Sequence, residues 1–377
     1  MKTDWQSLSF EDVVSDESGG NIKTLQSEFQ AVGRFPIVDQ GKELIAGYTD
    51  DPDRVCKAPL PVIVFGDHTR CFKFVDFPFC MGADGVKVLR PRIEMHEKYL
   101  FHYLRSLHLP NAGYDRHFKY LKRTKVKLPP LAEQRRIATI LDQTEALRAK
   151  RRQALAQLDT LTQSLFFDLF GGRKFPEESI GDLLASGNLL HHKDGNHGSL
   201  YPRSDDFGET GVPFLSAKAI TDDGRIDEAL VEWLREDKAS QLRIGWIASG
   251  DVLLAHNASV GKVALYDGRF ERALIGTSLT AFRPNPVRVD SQFLAAALCS
   301  PMFQRQLEKN MGQTTRNQVP ITAQRELCII APPLPLQREF AAQVSAVERL
   351  KTSQWASLAK LDVLFASLQH RAFQGEL

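Results

Sequence analysis

The side chains best suited to chemistry in this 377-residue chain are its histidines, its cysteines and one glycine-lysine turn. His96-Glu97-Lys98-Tyr99-Leu100-Phe101-His102 opens like a zinc-binding H-E-x-x-H helix. The second histidine follows at i+6 rather than i+4, so the two rings do not share a helix face and no metal is implied. His191, His192 and His197 fall among Lys, Asp, Gly and Asn, which reads as a polar loop. Ser259-Val260-Gly261-Lys262-Val263 ends like a phosphate-binding loop. However, His256 stands where the first glycine belongs, and Val263 where a magnesium-holding Ser or Thr belongs. G-x-S-x-G is absent, as is a G-x-G-x-x-G opening a helix after a strand. So are an Asn-Pro-Pro-Tyr-like tetrapeptide and an acidic-acidic-Lys constellation. Cys56, Cys71, Cys80, Cys299 and Cys328 are scattered, odd in number and never spaced C-x-x-C, which reads as reduced thiols. The chain is therefore read as a binder or scaffold with no catalytic residue, no metal and no cofactor. A catalytic site assembled from unlinked residues stays open.

Phosphate binding is the next chemistry to consider. Between Arg116 and Arg152 stand twelve Lys/Arg against three acids, in a chain whose net charge is only +2. Such a stripe is either a nucleic-acid footprint or a helix face docked on an acidic partner. Hydrophobic residues are 43% and charged residues 25%, proportions of a folded rather than a disordered chain. The apolar runs Phe293–Cys299 and Cys328–Leu336 are too short to span a bilayer. Met1-Lys2-Thr3-Asp4-Trp5 has no apolar core of a secretory signal, so a cytoplasmic location without membrane contact is expected.

The elements that must position any site are announced by an internal repeat. Pro129-Pro130-Leu131-Ala132-Glu133-Gln134-Arg135 returns as Pro332-Pro333-Leu334-Pro335-Leu336-Gln337-Arg338. Kept at that offset of 203 residues, residues 129–172 and 332–375 share 17 identities in 44 positions without a gap. Each copy opens on a proline breaker, carries apolar residues at helical spacing and stops near Gly172 or Gly375. From about Glu133 to Phe170 such a helix is ~57 Å long at 1.5 Å per residue. The offset is a multiple of seven, so any heptad phase is common to both copies, and the two helices are expected to pair antiparallel. Ile137, Leu141, Leu147, Leu158, Leu161 and Leu165 in one, and Val347, Leu350, Leu361, Leu364 and Leu368 in the other, are the expected pairing residues. Residues 1–128 and 173–331 hold short β-branched and aromatic runs such as Pro61–Phe65, Val86–Leu89, Asp251–Ala255 and Lys262–Tyr266. Each reads as an α+β module with a twisted or barrel-like sheet, followed by a helix at about His96–Leu107 or Ser291–Leu307. Common landmarks, Pro36 with Pro213 and Arg90-Pro91 with Arg283-Pro284, predict that the modules share a fold.

Two different modules alternating with two similar helices, each introduced by Pro-Pro-Leu-x-x-Gln-Arg, resemble the specificity subunit of a type I restriction-modification system. Leu128-Pro129-Pro130-Leu131-Ala132-Glu133-Gln134 is similar to the phrase that precedes the helix in that family; Ala331–Gln337 is a looser copy, with Leu336 in place of the Glu. Gly33–Val38, Ala46–Asp50 and Phe65–Arg70 resemble one class of target-recognition domain; Asp251–Ala255 and Val260–Ala264 resemble another. The resemblance implies a non-catalytic subunit whose two target-recognition domains each read one half of a split, asymmetric double-stranded DNA site. It further implies that the helices set the spacer and dock two methyltransferase subunits, with motor-nuclease subunits joining them. The alternatives left open are a nuclease or methyltransferase fused to such modules, and a purely structural helical hairpin.

Base reading needs polar and cationic side chains on loops, and phosphate anchoring needs Lys and Arg. In the first module Lys42, Tyr48, His68, Thr69, Arg70 and Lys73 are the candidates. The alternative for His68-Thr69-Arg70 is a structural turn with Asp67 paired to Arg70. In the second module the candidates are Arg203, Lys218, Asn257, Ser259, Lys262 and, from a run without apolar residues, Thr314, Thr315, Arg316, Asn317 and Gln318.

Overall fold

The computed structural model describes residues 5–83, 85–110, 115–311 and 317–377. It divides into two compact units, Met1–Arg152 with Ala356–Leu377, and Gln153–Trp355, so each long helix gives one half to each unit.

The strands of the first unit are β1 (Gln6–Ser9), β2 (Val14–Asp16), β3 (Lys23–Thr24), β4 (Phe35–Val38) and β5 (Gly47–Thr49). They continue with β6 (Val62–Gly66), β7 (Phe72–Val75), β8 (Cys80–Gly82), β9 (Val86–Pro91) and β10 (Lys125–Leu128). Its helices are α1 (Phe10–Val13), α2 (Glu97–Ser106), α3 (Phe118–Leu121) and the long α4 (Leu131–Phe170), whose second half passes into the other unit. One antiparallel sheet has the order β2-β9-β6-β7; a mixed sheet has the order β3-β8-β4-β5, with β4 parallel to β8; β1 pairs with β10. Strand alternation explains how two cores form. Ile63 and Phe65 of β6, with Leu89 of β9, face α2 through Tyr99, Leu100 and Leu104. Val62, Val64, Val86 and Val88, pointing the other way, meet Val38 and Met81 of the mixed sheet. Each such fully buried side chain contributes on the order of 2 kcal/mol.

The second unit repeats this plan. Its strands are β11 (Glu177–Ser179), β12 (Leu189–Asp194), β13 (Phe207–Gly208), β14 (Val212–Leu215), β15 (Glu232–Leu234) and β16 (Trp246–Ile247). They continue with β17 (Val252–Ala255), β18 (Val263–Leu265), β19 (Ala273–Ile275), β20 (Leu279–Pro284) and β21 (Cys328–Ile330). Its helices are α5 (Ile180–Ala185), α6 (Glu236–Ala239), α7 (Ser291–Cys299), α8 (Pro301–Met311), α9 (Ile321–Gln324) and the long α10 (Leu334–Gln374), whose end belongs to the first unit. The order β12-β20-β17-β18 matches β2-β9-β6-β7, and β14 runs parallel to β19 as β4 does to β8. Pro36 faces Tyr48 and Pro213 faces Trp233 at matching places. Val252 and Leu254 point to one core, Leu253 and Ala255 to the other. The modules differ at the sheet edge, where β3 pairs parallel and β16 antiparallel.

The long helices pack antiparallel inside each unit. In the first, the start of α4 lies beside the end of α10: Arg148 Nε donates to Asp362 Oδ1 at 2.6 Å, and Lys127 Nζ to the Phe373 carbonyl at 2.8 Å. In the second, Lys351 Nζ reaches Asp159 Oδ1 at 3.2 Å, and the Phe170 and Phe340 rings meet edge to face. Arg148 and Lys351, like Asp362 and Asp159, stand 203 residues apart, so the repeat places the same ion pair in both units. Each cation also holds the acid three residues before it, Glu145 or Glu348. The repeated glutamine has an equally definite task. Gln134 is buried, accepts from the amide of His96 at 2.9 Å and donates to the Pro129 carbonyl at 2.8 Å. Gln337 accepts from the amide of Asp290 and donates to the Pro332 carbonyl at the same two distances. Each ties the start of a long helix to the start of its module's helix.

Several expectations are corrected. The buried or half-buried seam of α4 runs through Gln134, Ile137, Leu141, Thr144, Arg148, Arg151, Leu155, Leu158, Thr162, Leu165 and Leu169. In α10 it runs through Gln337, Phe340, Val344, Val347, Lys351, Gln354, Leu358, Leu361, Phe365, Leu368 and Ala372. Ile137, Leu141, Leu158, Leu165, Val347, Leu361 and Leu368 are on it. Leu147, Leu161, Leu350 and Leu364 are not: each precedes a seam residue by one position, about 100° around the helix, and they are 52%, 37%, 53% and 47% exposed. The expected helix 291–307 is two, because Ser300 is extended and Pro301 starts α8 afresh. His191 and His192 are not loop residues but part of β12, where buried His192 bonds Gln324 at 2.9 Å.

Candidate nucleic-acid interface

In the first module the candidate residues cluster at the hairpin turn between β6 and β7 and the loop between β4 and β5. The turn is closed by Gly66 N donating to the Cys71 carbonyl and Arg70 N to the Gly66 carbonyl. It is held from beneath by Asp67, whose buried carboxylate accepts from the Phe118 amide at 2.6 Å while its carbonyl accepts from the His117 amide. Asp67 is thus committed to α3, so the structural turn stands without the expected Asp67–Arg70 pair. Thr69 Oγ1 donates to the Gln40 carbonyl, and the His68 amide to Gln40 Oε1 at 3.3 Å. Turn and loop approach so closely that a Cβ on Gly85, itself at φ +73°, would come 2.8 Å from both Gln40 Oε1 and His68. Lys42 is exposed on the same loop, and Tyr48 is half-buried in β5.

Lys73 does not belong to the exposed set. It is 6% exposed, and its Nζ donates to the Asp39 carbonyl at 2.8 Å and pairs with Asp39 Oδ1 at 3.3 Å. It straps β7 to the loop that follows β4, which makes it part of the frame.

In the second module the equivalent turn, between β17 and β18, carries Asn257, Ser259 and Lys262. Asn257 bridges to Gln318, and the His256 carbonyl accepts from the Val319 amide, which brings Asn317 and Gln318 beside the turn. Lys262 pairs with Asp222 at 2.7 Å and donates to the Ile220 carbonyl, linking the turn to the segment after Lys218. Arg203 and Lys218 are exposed, and among the described residues nothing ties Arg203 to this cluster. Thr314, Thr315 and Arg316 lie outside the described residues. Behind the turn, His256 is buried and its Nδ1 meets Thr280 Oγ1 at 2.8 Å. Burial pushes its pKa down to about 4, against the opposing pull of Asp194. The sequence offered no signal for this histidine beyond its failure to be a glycine.

Part of the basic stripe is engaged in ion pairs. Lys119 pairs with Asp115, Lys122 with Glu11, Arg136 with Glu133, and Arg148 and Arg152 with Glu145 and Asp362. These five cations are thereby part of a framework of surface and interhelix ion pairs. The other motif histidine, His102, is buried against Asp142 of α4 at 2.8 Å, with Lys98 on the second carboxylate oxygen at 2.7 Å. Burial alone would raise the Asp142 carboxyl, but these two partners hold it below the usual range. The group locks α2 to α4. Among the described residues no cluster of His, Cys, Asp and Glu is arranged to hold a metal ion.

Two modules whose antiparallel sheets share one strand order, each presenting a different polar turn and each locked to half of an antiparallel helix pair, define a duplicated recognition protein. The chain belongs to the family described as the type I restriction modification DNA specificity domain, which it matches twice, over residues 2–158 and 197–360. It is 24% identical over 243 residues to the type I restriction enzyme MjaVIII specificity subunit of Methanocaldococcus jannaschii, a match spanning 62% of this chain and 57% of that protein. Its fold is similar to the crystal structure of a type I restriction-modification system S subunit from M. genitalium, with a TM-score of 0.60 and 15% identity over 98% of this chain and 96% of that one. It is also similar, with a TM-score of 0.53 and 19% identity over 99% and 98% of the two chains, to a structure reported for complex assembly and conformational transition of the type I R-M system.

Proposed function

We propose that this chain is the non-catalytic DNA-reading subunit of a type I restriction-modification enzyme, each module recognising one half of a bipartite, asymmetric double-stranded site. One observation carries the reading: the frame repeats between the modules while the turn side chains do not. The Gln134 and Gln337 ties are the same, and so are the Ser9–Asp12 and Ser179–Asp182 caps. The turns instead carry His68-Thr69-Arg70 in one module and Asn257 and Ser259 in the other. A shared frame with different tips suits two readers of different sequences.

The helices carry the assembly role. The register of the Arg148–Asp362 pair sets Leu147 level with Leu364 in the first unit, and that of Lys351–Asp159 sets Leu350 level with Leu161 in the second. These four exposed leucines form two like apolar patches, each suited to one methyltransferase subunit, and motor-nuclease subunits then complete the enzyme. The work is cytoplasmic and makes no use of a membrane; among the described residues no helix is long and apolar enough to cross one.

Mapping methylated bases in cells that express this chain with its methyltransferase subunit tests the reading. An asymmetric motif in two parts is the expected result. Methyl transfer or cleavage by the isolated chain, or one contiguous motif, would contradict it. For the helices, Leu147→Glu with Leu364→Glu should remove one of two bound methyltransferase subunits, counted by native mass spectrometry; full occupancy would show that these leucines are not the dock.

A further inference from the structure

We propose that Arg70 reads a guanine base in the half-site of the first module; the inference rests on the DNA-reading role proposed above and assigns the chemistry of one contact within it. Three observations lead to it.

The first is backbone strain. Arg70 has φ +61°, in the left-handed region, and among the described residues only Ala258 is another non-glycine there. An L side chain is disfavoured in this conformation, which is the ordinary place of glycine. Strain of this kind persists where the surrounding structure enforces it, and it clusters at functional sites.

The second is the comparison between modules. Gly66 N donates to the Cys71 carbonyl as Ala255 N does to that of Lys262, and Arg70 N donates to the Gly66 carbonyl as Gly261 N does to that of Ala255. Arg70 and Gly261 therefore make the corresponding closing bond just before the second strand, although the second turn is two residues longer, and Gly261 has φ +97°. The second module fills the position with the residue the backbone favours; the first carries an arginine there. A side chain that serves the common frame would be repeated, as the buried glutamines are. One present in a single module serves what differs between them, the half-site.

The third is the state of the guanidinium. Lys73 and Lys262, the cations nearest in sequence to the two turns, are each paired with an aspartate. Among the described residues the partner of the Arg70 guanidinium is the Leu109 carbonyl at 3.4 Å, longer than a normal N–H···O bond. The side chain is half-exposed on a turn anchored by Asp67, so a planar donor fork is held on a fixed base with most of its donors unspent among the described residues. That fork matches the O6 and N7 acceptors of guanine in the major groove.

The test uses the whole chain assembled with its methyltransferase subunits and duplex oligonucleotides built on the methylated motif of the wild type. Each base pair of the first module's half-site is substituted in turn, and competition binding is measured for wild type, Arg70→Gly and Arg70→Lys. Wild type should discriminate at one G·C pair by roughly ten- to a hundredfold. Arg70→Gly should lose that discrimination alone, keep the rest of both half-sites, and melt no lower than wild type because glycine relieves the turn. Arg70→Lys should not restore it, since an ammonium cannot make the two-point contact. Weakening of all sequences alike, with a smaller salt dependence, would make Arg70 a phosphate contact and overturn the proposal. Unchanged discrimination, a lower melting temperature for Arg70→Gly, or a first half-site without a G·C pair would overturn it as well. A wild type that selects no sequence would instead remove the DNA-reading role on which the proposal stands.

Discussion

Arg70 and Lys73 are two cations three residues apart, yet one is half-exposed and the other buried. Sequence shows the residue type but not this distinction, because it is settled by Asp39, 34 residues away, and by the face of β7 that Lys73 shares with Val75. His256 was equally illegible, since its environment comes from β20 through Thr280 and from the Val319 backbone. Its pH behaviour follows from that environment. The folded pKa of about 4 lies below the ordinary 6.5, so between these values the unfolded chain binds the extra proton and folding loses stability as pH falls. The loss should be about 1 kcal/mol per pH unit below 6.5, levelling off near pH 4. Thermal melts from pH 7.5 to 5.0 check this. The wild type should lose stability on acidification, and His256→Gln, which cannot take up the proton, should lose less. Equal slopes would show that His256 is not the group responsible. His192, pushed down by its burial in the same way, accounts for part of the slope left in the variant.

At the scale of elements, the repeat is the most legible feature, and it announces the two helices and their antiparallel pairing. What hid the seam was its polar content. Arg148, Thr162 and Lys351 occupy seam positions, while Leu147, Leu161 and Leu350 stand one residue earlier; Leu364 stands one before the seam's Phe365. Counting leucines therefore chose the wrong neighbour at four places, and only the ion pairs across the seam explain why a cation is tolerated there. The glutamine of the repeated phrase is visible in the sequence only as a repeated residue; its function as a tie depends on the position of α2 and α7. That tie gives an element-scale prediction. Gln134→Ala leaves the His96 amide and the Pro129 carbonyl unpaired in a buried place, at a cost of about 1–3 kcal/mol. Gln337→Ala should cost a similar amount through the Asp290 amide. The two ties lie in different units and share no partner, so the double variant should lose about the sum in denaturant unfolding. No loss in either single variant would show that water replaces these bonds without penalty.

At the scale of the whole molecule, the boundary between the compact units cuts both long helices at equivalent places, after Arg152 in α4 and after Trp355 in α10, 203 residues apart. Each unit is thus a module together with half of a helix pair, and helix continuity is what joins one reader to the other in sequence. If the helices set the spacer of the proposed site, length can be added at those two points without disturbing either module core. Seven residues must be added to both helices, since one heptad preserves the phase of the seam whereas four residues would rotate everything beyond the insertion off it. A heptad adds about 10.5 Å at 1.5 Å per residue, close to three base-pair steps of ~3.4 Å. The ion pairs Arg148–Asp362 and Lys351–Asp159 lie on opposite sides of the insertion points and each keeps both members on its own side. The expected outcome is a methylated motif with both half-sites unchanged and a spacer longer by about three base pairs, read by mapping modified bases in cells expressing the lengthened chain. Changed half-sites with the old spacer would show that the helices are not the ruler. An insertion in α4 alone should destabilise the pair without lengthening the spacer, because α10 would still hold the original register.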